Sequence, residues 1–288
     1  MKYMIATAAV TAICIILGTA AAHLIGRHRN LSSRRKAFLA VFFSILLLSA
    51  GSLGYLETYY RATDAAEEYL KEEAGQRPAN LPNNADASAV LVQKTDGGCF
   101  LDGPGESFAI ILYGGAKVEE TAYAPLLYRL AQCGVDCFLV KAPFRFAFMA
   151  AGAADRIMEE HEYRSWYLAG HSMGGVVASS IAAKHPDTIS GLILLASYPN
   201  NKLPDGIRLL SIYGSEDGCL DRKVYGESRK NYPADTQETV IEGGNHAQFG
   251  DYGLQKGDGT ALISSEAQWD ETADTIMNWI SPGTEDVD

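Results

Sequence analysis

Apolar and polar positions divide the chain into stretches of different character. Residues 3–25 are almost wholly apolar and carry no formal charge, and residues 37–56 repeat that property. Each run has about the 20 residues that cross a bilayer as a helix, so the pattern predicts two transmembrane helices. From Glu57 to about Asp86 the chain is charged, with a helix-friendly run at residues 65–74. It then enters the breaker-rich Gln76-Arg77-Pro78-Ala79-Asn80-Leu81-Pro82-Asn83-Asn84, which reads as a stalk and linker.

Beyond the linker, short apolar runs alternate with helical patterns. The expected strands are residues 89–93, 99–101, 108–112, 136–140, 165–169, 191–195, 208–213 and 238–242. The expected helices are 122–132, 154–161, 175–184, 221–231 and 265–280. Strands alternating with helices of this length imply right-handed crossovers and a mostly parallel sheet flanked by helices. The opening pair, joined by Asp96-Gly97-Gly98, is expected to be antiparallel. Three parts follow: a helical hairpin over 1–56 (spans 3–25 and 37–56), a stalk and linker over 57–87, and an α/β domain over 88–288.

Charge refines the hairpin. Only Lys2 precedes the first apolar run, whereas Arg27, Arg29, Arg34, Arg35 and Lys36 lie between the two. The positive-inside rule then places that loop in the cytoplasm and both outer ends outside. The expected location is the cell membrane, multi-pass, with the C-terminal domain extracytoplasmic. A cleaved signal peptide ending at Ala20-Ala21-Ala22 is the alternative, and the loop charges argue against it. No Asp or Glu precedes Glu57, so the remainder holds 18 basic against 35 acidic side chains. So acidic a surface is a poor partner for nucleic acid.

Cys99, Cys133, Cys137 and Cys219 fall in the outer domain, where disulfides are permitted, but their spacing identifies no pairing. Cys133 and Cys137 read equally as small buried apolar residues. No C-x-x-C and no His/Cys cluster has zinc spacing, so no metal is expected.

The candidate chemistry begins at Tyr167-Leu168-Ala169-Gly170-His171-Ser172-Met173-Gly174-Gly175, a strand running into G-x-S-x-G and then a helix. A serine on a tight strand-to-helix turn needs small flanking residues, and Gly170 and Gly174 provide them. Ser172 is the candidate nucleophile.

Its partners are sought in loops at the carboxyl ends of parallel strands, where ligands gather. One such loop is Gly214-Ser215-Glu216-Asp217-Gly218, and another is Gly243-Gly244-Asn245-His246-Ala247-Gln248-Phe249-Gly250. They offer Asp217 as acid, with Glu216 and Asp221 as rivals, and His246 as base in preference to His171 and His185. The roles are those of general-base catalysis: the histidine takes the serine proton, and the carboxylate fixes the tautomer of the ring. The oxyanion calls for backbone N–H donors. Met173 supplies one, and the loop Tyr113-Gly114-Gly115-Ala116-Lys117 supplies the other through Gly115 or Ala116.

With these runs in order, the chain from about Ala89 onward resembles the α/β-hydrolase superfamily. It is most similar to short bacterial membrane-attached members related to the dienelactone-hydrolase-like branch. Val140-Lys141-Ala142-Pro143-Phe144 and Gly244 to Gly253 add to the resemblance. It implies an α/β-hydrolase fold and a serine hydrolase of carboxylic esters or related acyl compounds, working through an acyl-enzyme. Ser172, Asp217 and His246 would be its triad, and no cofactor is needed. Tyr113 stands where many esterases carry histidine, and dienelactone hydrolases proper use cysteine where this chain has Ser172.

Residues 196–207 are too short for a helical cap, so the site is expected to be open to a small-molecule acyl substrate. Lys117, Tyr123 and Phe144 are candidates to line it. A non-catalytic binding module of the cell envelope is the alternative function, since fold does not guarantee activity.

Overall fold

The computed structural model describes residues 2–29, 31–71, 90–105 and 107–281. Two compact units divide it, one ending at Thr58 and one beginning at Tyr59.

The first unit is a helical hairpin of α1 (Lys2–His28) and α2 (Ser33–Leu56). Its helices run antiparallel in close contact, because a Cβ on Gly18 would lie 2.3 Å from Ser44 Oγ and one on Gly26 would lie 2.6 Å from the Lys36 side chain. Small residues at such crossings let backbones approach. Among the described residues one helix, α2, is long and apolar enough to cross a membrane, and Thr11–Arg27 of α1 is a shorter apolar run. Of the two spans expected from sequence, the second meets the length and composition requirement among the described residues.

The second unit is an α/β sandwich around an eight-stranded sheet. Its strands are β1 (Leu91–Thr95), β2 (Gly98–Asp102), β3 (Phe108–Tyr113), β4 (Val135–Val140), β5 (Ser165–His171), β6 (Ile189–Leu195), β7 (Arg208–Gly214) and β8 (Thr236–Ile241). Their order across the sheet is β1-β2-β4-β3-β5-β6-β7-β8. β1 and β2 are antiparallel to their neighbours, and the other six run parallel. The hairpin at Asp96-Gly97 has Thr95 opposite Gly98. This register carries β1 through Lys94 and Thr95, two residues beyond the apolar run that marked it in the sequence.

β3 and β4 are almost continuously buried, as expected of parallel strands covered on both faces. One face packs on α4 (Ala124–Gln132) and α8 (Ser265–Ile280), and the other on α5 (Ala153–Glu160) and α6 (Met173–Ala182). α7 (Arg222–Ser228) follows β7 and is capped by the Asp221 carboxylate, which accepts from Lys223 N and Val224 N at 3.0 Å each. β6 and β7 are joined without a helix.

The domain boundary differs from the sequence expectation. The stalk was placed at 57–87, yet Tyr59 to Leu70 belongs to the second unit. A short helix, α3 (Asp64–Glu68), lies there, capped by Thr63, and Ala66, Tyr69 and Leu70 are buried in the main core. Apolar residues between charged ones drive this: Tyr60, Ala62, Tyr69 and Leu70 supply an apolar face that the domain covers. The breaker-rich run at 76–84 lies outside the described residues.

Candidate active site

β5 ends at His171, and α6 begins at Met173. Ser172 occupies the corner with φ 52° and ψ −123°, a conformation that side-chain-bearing residues avoid. The flanking glycines make the corner sterically feasible. A Cβ on Gly170 would lie 2.4 Å from Gly174 C, and one on Gly174 would lie 2.1 Å from Tyr113 O. Ser172 N–H donates to Leu195 O at 2.9 Å, and Ser197 Oγ donates to Ser172 O at 2.6 Å. Serine at a helix N-cap ordinarily spends its hydroxyl on capping. Here the Ser172 side chain makes no capping bond to α6.

The acid and the histidine come from the loops after β7 and β8. Asp217 Oδ2 lies 2.9 Å from His246 Nδ1, and both side chains are fully or almost fully buried. Asp217 Oδ1 accepts from Cys219 N at 2.8 Å and Leu220 N at 2.7 Å. Burial works to raise the Asp217 carboxyl, but the His246 bond and charge and these two amides outweigh it and leave it below its usual range. Asp217 is thus an anion aimed at one ring nitrogen. Of the rival acids, Asp221 caps α7 and Glu216 accepts from Ser215 Oγ at 3.1 Å.

Asp258 and Gln268 also hold the site together, and the sequence patterns did not single them out. The Asp258 carboxylate accepts from Gly218 N at 3.0 Å on the acid loop, and from His246 N at 3.2 Å and Ala247 N at 2.8 Å on the histidine loop. Gln268, fully buried on α8, accepts from Asn245 N at 3.0 Å and donates to Asn245 O at 2.9 Å. The only sequence-level sign of Asp258 was a Gly-Asp-Gly turn. A single glutamine among the polar residues of the amphipathic α8 gave none.

His171 lies against the site without being aimed as its base. Its ring is fully buried and packs 4.5 Å from the His246 ring between centroids, which brings the Ser172 elbow and the Asp217–His246 pair into one site. Its Nδ1 is 2.8 Å from Tyr123 Oη, and Gly115 N–H donates to that same oxygen at 2.8 Å. Burial, then the neighbouring His246, press the His171 imidazole well below its usual range, so it is neutral and accepts from the tyrosine.

Two sequence assignments change on this chain of bonds. Tyr123, expected to line the pocket, is fully buried and bonded on both sides of its hydroxyl. Gly115, one of two candidates for the second oxyanion donor, has its N–H committed to Tyr123. That leaves Ala116, whose N–H has no protein acceptor among the described residues. Met173 opens α6, so its N–H has no acceptor within the helix. Lys117 and Phe144 are half-buried in left-handed conformations, with φ 58° and φ 51°. Cys99, Cys133, Cys137 and Cys219 are free thiols, and Cys137 is fully buried. Among the described residues no cluster of metal-ligating side chains occurs.

The His171 environment has a measurable consequence. Its ring titrates near 6.5 when unfolded and far lower when folded. Below about pH 6.5 the unfolded chain therefore binds the extra proton, and stability falls by up to about 1.4 kcal/mol per pH unit. Asp217, whose carboxyl is held below its ordinary value of 3.8, also loses its contribution on acidification, but only below that value and so outside the range from about pH 7.5 to about pH 5. His171→Asn keeps an acceptor for Tyr123 and removes the titration. Thermal unfolding at about pH 7.5 and about pH 5 should show a smaller loss for the variant than for wild type; equal losses would exclude His171 as the cause.

The profile of the Alpha/beta hydrolase family matches residues 109–270, more than half of the chain, and these carry β3 to α8 with all three candidate residues. The chain belongs to the Alpha/beta hydrolase family. The strand order and the elbow are those on which this hydrolase places Ser172, Asp217 and His246. Similar solved structures include a predicted CIB-like hydrolase from Thermoplasma acidophilum, 15% identical, covering 66% of this chain and 100% of that one with a TM-score of 0.51. MGS-MChE2, an α/β hydrolase from the metagenome of sediments of the Mar Chica lagoon, Morocco, is 14% identical, with coverage of 66% and 98% and a TM-score of 0.51. At such identities the likeness concerns the fold. No curated protein matches the chain.

Proposed function

We propose that this hydrolase is a membrane-anchored serine hydrolase that cleaves carboxylic ester or related acyl bonds through Ser172, His246 and Asp217. The observation that carries the reading is the buried Asp217–His246 bond beside a strained serine whose hydroxyl does not cap its helix. Asp217 accepts the Nδ1 proton of His246, which leaves Nε2 as the lone pair that takes the Ser172 proton. Ser172 Oγ attacks the acyl carbonyl, and the N–H groups of Met173 and Ala116 bind the developing oxyanion. His246 returns the proton to the leaving oxygen, an ester forms on Ser172, and a water activated by the same ring hydrolyses it. Burial keeps the Asp217 carboxylate poorly solvated and so strengthens its hold on the imidazolium.

Lys117 and Phe144 border the oxyanion loop and are proposed to face the acyl group. Without a helical cap, small or accessible esters suit the site best. Among members of the family, the short capless branch akin to dienelactone hydrolases is the one its motifs favour, with serine in place of cysteine.

Turnover of p-nitrophenyl acetate by the purified full chain tests the reading. A burst of nitrophenol of about one per chain, followed by slower steady turnover, is expected of an acyl-enzyme. A folded protein inert toward short acyl esters and thioesters contradicts it. The anchor is proposed from α2, the apolar run of α1 and the basic loop between them. With the hydrolase domain outside, protease added to intact cells should remove the C-terminus; protection there would reverse the topology.

A further inference from the structure

We infer that Tyr59 to Thr63, the segment that directly follows the N-terminal helices in sequence, is a positioning element of the hydrolase site, a role that rests on the acyl-transfer reading above. The segment ties together the loop that carries the oxyanion donor and the loop that follows His246.

On the oxyanion side, Tyr60 and Val118 form a parallel bridge. Tyr60 N–H donates to Lys117 O at 2.7 Å, Glu119 N–H donates to Tyr60 O at 2.9 Å, and Ala62 N–H donates to Glu119 Oε2 at 3.0 Å. Lys117 N–H donates to Arg145 O at 2.8 Å, and the Arg145 guanidinium stacks 3.6 Å over the Tyr59 ring. Both main-chain groups of Lys117, the residue after the Ala116 donor, are therefore fixed from outside the loop. They need to be. Lys117 and Arg145 have φ 58° and Phe144 has φ 51°, so three side-chain-bearing residues sit in the left-handed region where these two loops meet. Such conformations persist only where surrounding contacts over-determine them, and Tyr59, Tyr60 and Ala62 contribute several of those contacts.

On the histidine side, Thr63 N–H donates to Asp251 O at 2.9 Å, and Thr63 Oγ1 donates to the Asp251 carboxylate. Lys256 N–H donates to Tyr60 Oη at 3.2 Å, and the Tyr60 ring lies 5.7 Å from the Tyr252 ring. The stretch so held leads into Asp258, whose carboxylate fixes the His246 and Gly218 amides. A passive tether would leave its polar groups to water. This segment spends them on both loops that the reaction uses.

The test uses the full chain in detergent. Replacing residues 59–63 by Gly-Ser-Gly-Ser-Gly keeps the length and removes the contacts, and Thr63→Val beside Thr63→Ser probes the Thr63 hydroxyl alone, which bonds the Asp251 carboxylate and caps α3. The readouts are kcat and KM for p-nitrophenyl acetate, thermal unfolding, and the labelling rate with a fluorophosphonate. The replaced segment should lower kcat about 10²-fold, the scale of one lost oxyanion donor, with KM changed far less. Thr63→Val should lower kcat about tenfold, and Thr63→Ser should restore it.

Wild-type kcat in a folded replacement variant overturns the inference while leaving the hydrolase reading intact. If the replacement does not fold, the Thr63 pair decides: a loss restored by serine supports positioning, and no loss in Thr63→Val overturns it. Failure of wild type to react with the fluorophosphonate removes the hydrolase reading, and this inference with it.

Discussion

Ser172→Ala is expected to lower kcat on a short acyl ester by about 10⁶-fold and to leave the protein as stable as wild type. The structure separates the two effects. The Ser172 side chain gives its helix no cap, while the main-chain groups of the corner are held by Leu195 and Ser197. Alanine keeps those main-chain bonds and suffers the same positive φ as serine, as Ala196 at φ 49° already does. Ser172→Gly should lose the same activity but gain roughly 1 kcal/mol, because the left-handed strain disappears. Steady-state kinetics and thermal unfolding of the two variants measure both quantities. An alanine variant that retains more than a thousandth of wild-type kcat would remove Ser172 from the chemistry.

Asp217→Asn is expected to lower kcat by about 10⁴-fold through the tautomer of His246. Asp217 Oδ1 accepts from Cys219 N and Leu220 N, so the asparagine must keep its oxygen there. Its NH₂ group then faces Nδ1 of His246 at the position now held by Oδ2. That nitrogen must become the acceptor, the ring proton moves to Nε2, and the base can no longer take the serine proton. KM should change little, because Asp217 is buried and does not face substrate. Rates within tenfold of wild type would show that the carboxylate does not set the tautomer.

The sequence carried most of the fold because the fold depends on local patterns. The strand cores from β2 to β7 are apolar runs and the helices that cover the sheet bury an apolar face, so both periodicities were readable. β1 moved by two residues because Lys94 and Thr95 pair with Cys99 and Gly98 across a tight turn, a register effect that hydrophobicity does not encode. Ser172, Asp217 and His246 could be selected because chemistry restricts residue type and parallel-sheet topology restricts place. Tyr123 was misassigned for the complementary reason: an aromatic near a site fits a pocket wall and a core equally well, and only the bonds to His171 and Gly115 distinguish them. Asp258 acts through carboxylate contacts with amides ten or more residues away, for which a single sequence has no periodic signal. Tyr59 to Thr63 looked like linker because it lies between the apolar N-terminal runs and a charged, breaker-rich stretch and has too few apolar residues to mark an element, while Tyr60 and Ala62 pack on the domain.

The proposed chemistry requires an activated Ser172. The most direct measurement is intact-mass analysis of wild type, Ser172→Ala and His246→Ala after exposure to a fluorophosphonate. The account predicts one adduct on wild type, none on Ser172→Ala, and labelling slowed by at least about 10³-fold on His246→Ala. A folded wild type that acquires no adduct, or a Ser172→Ala variant labelled as fast as wild type, would contradict it and favour a binding role for the same fold.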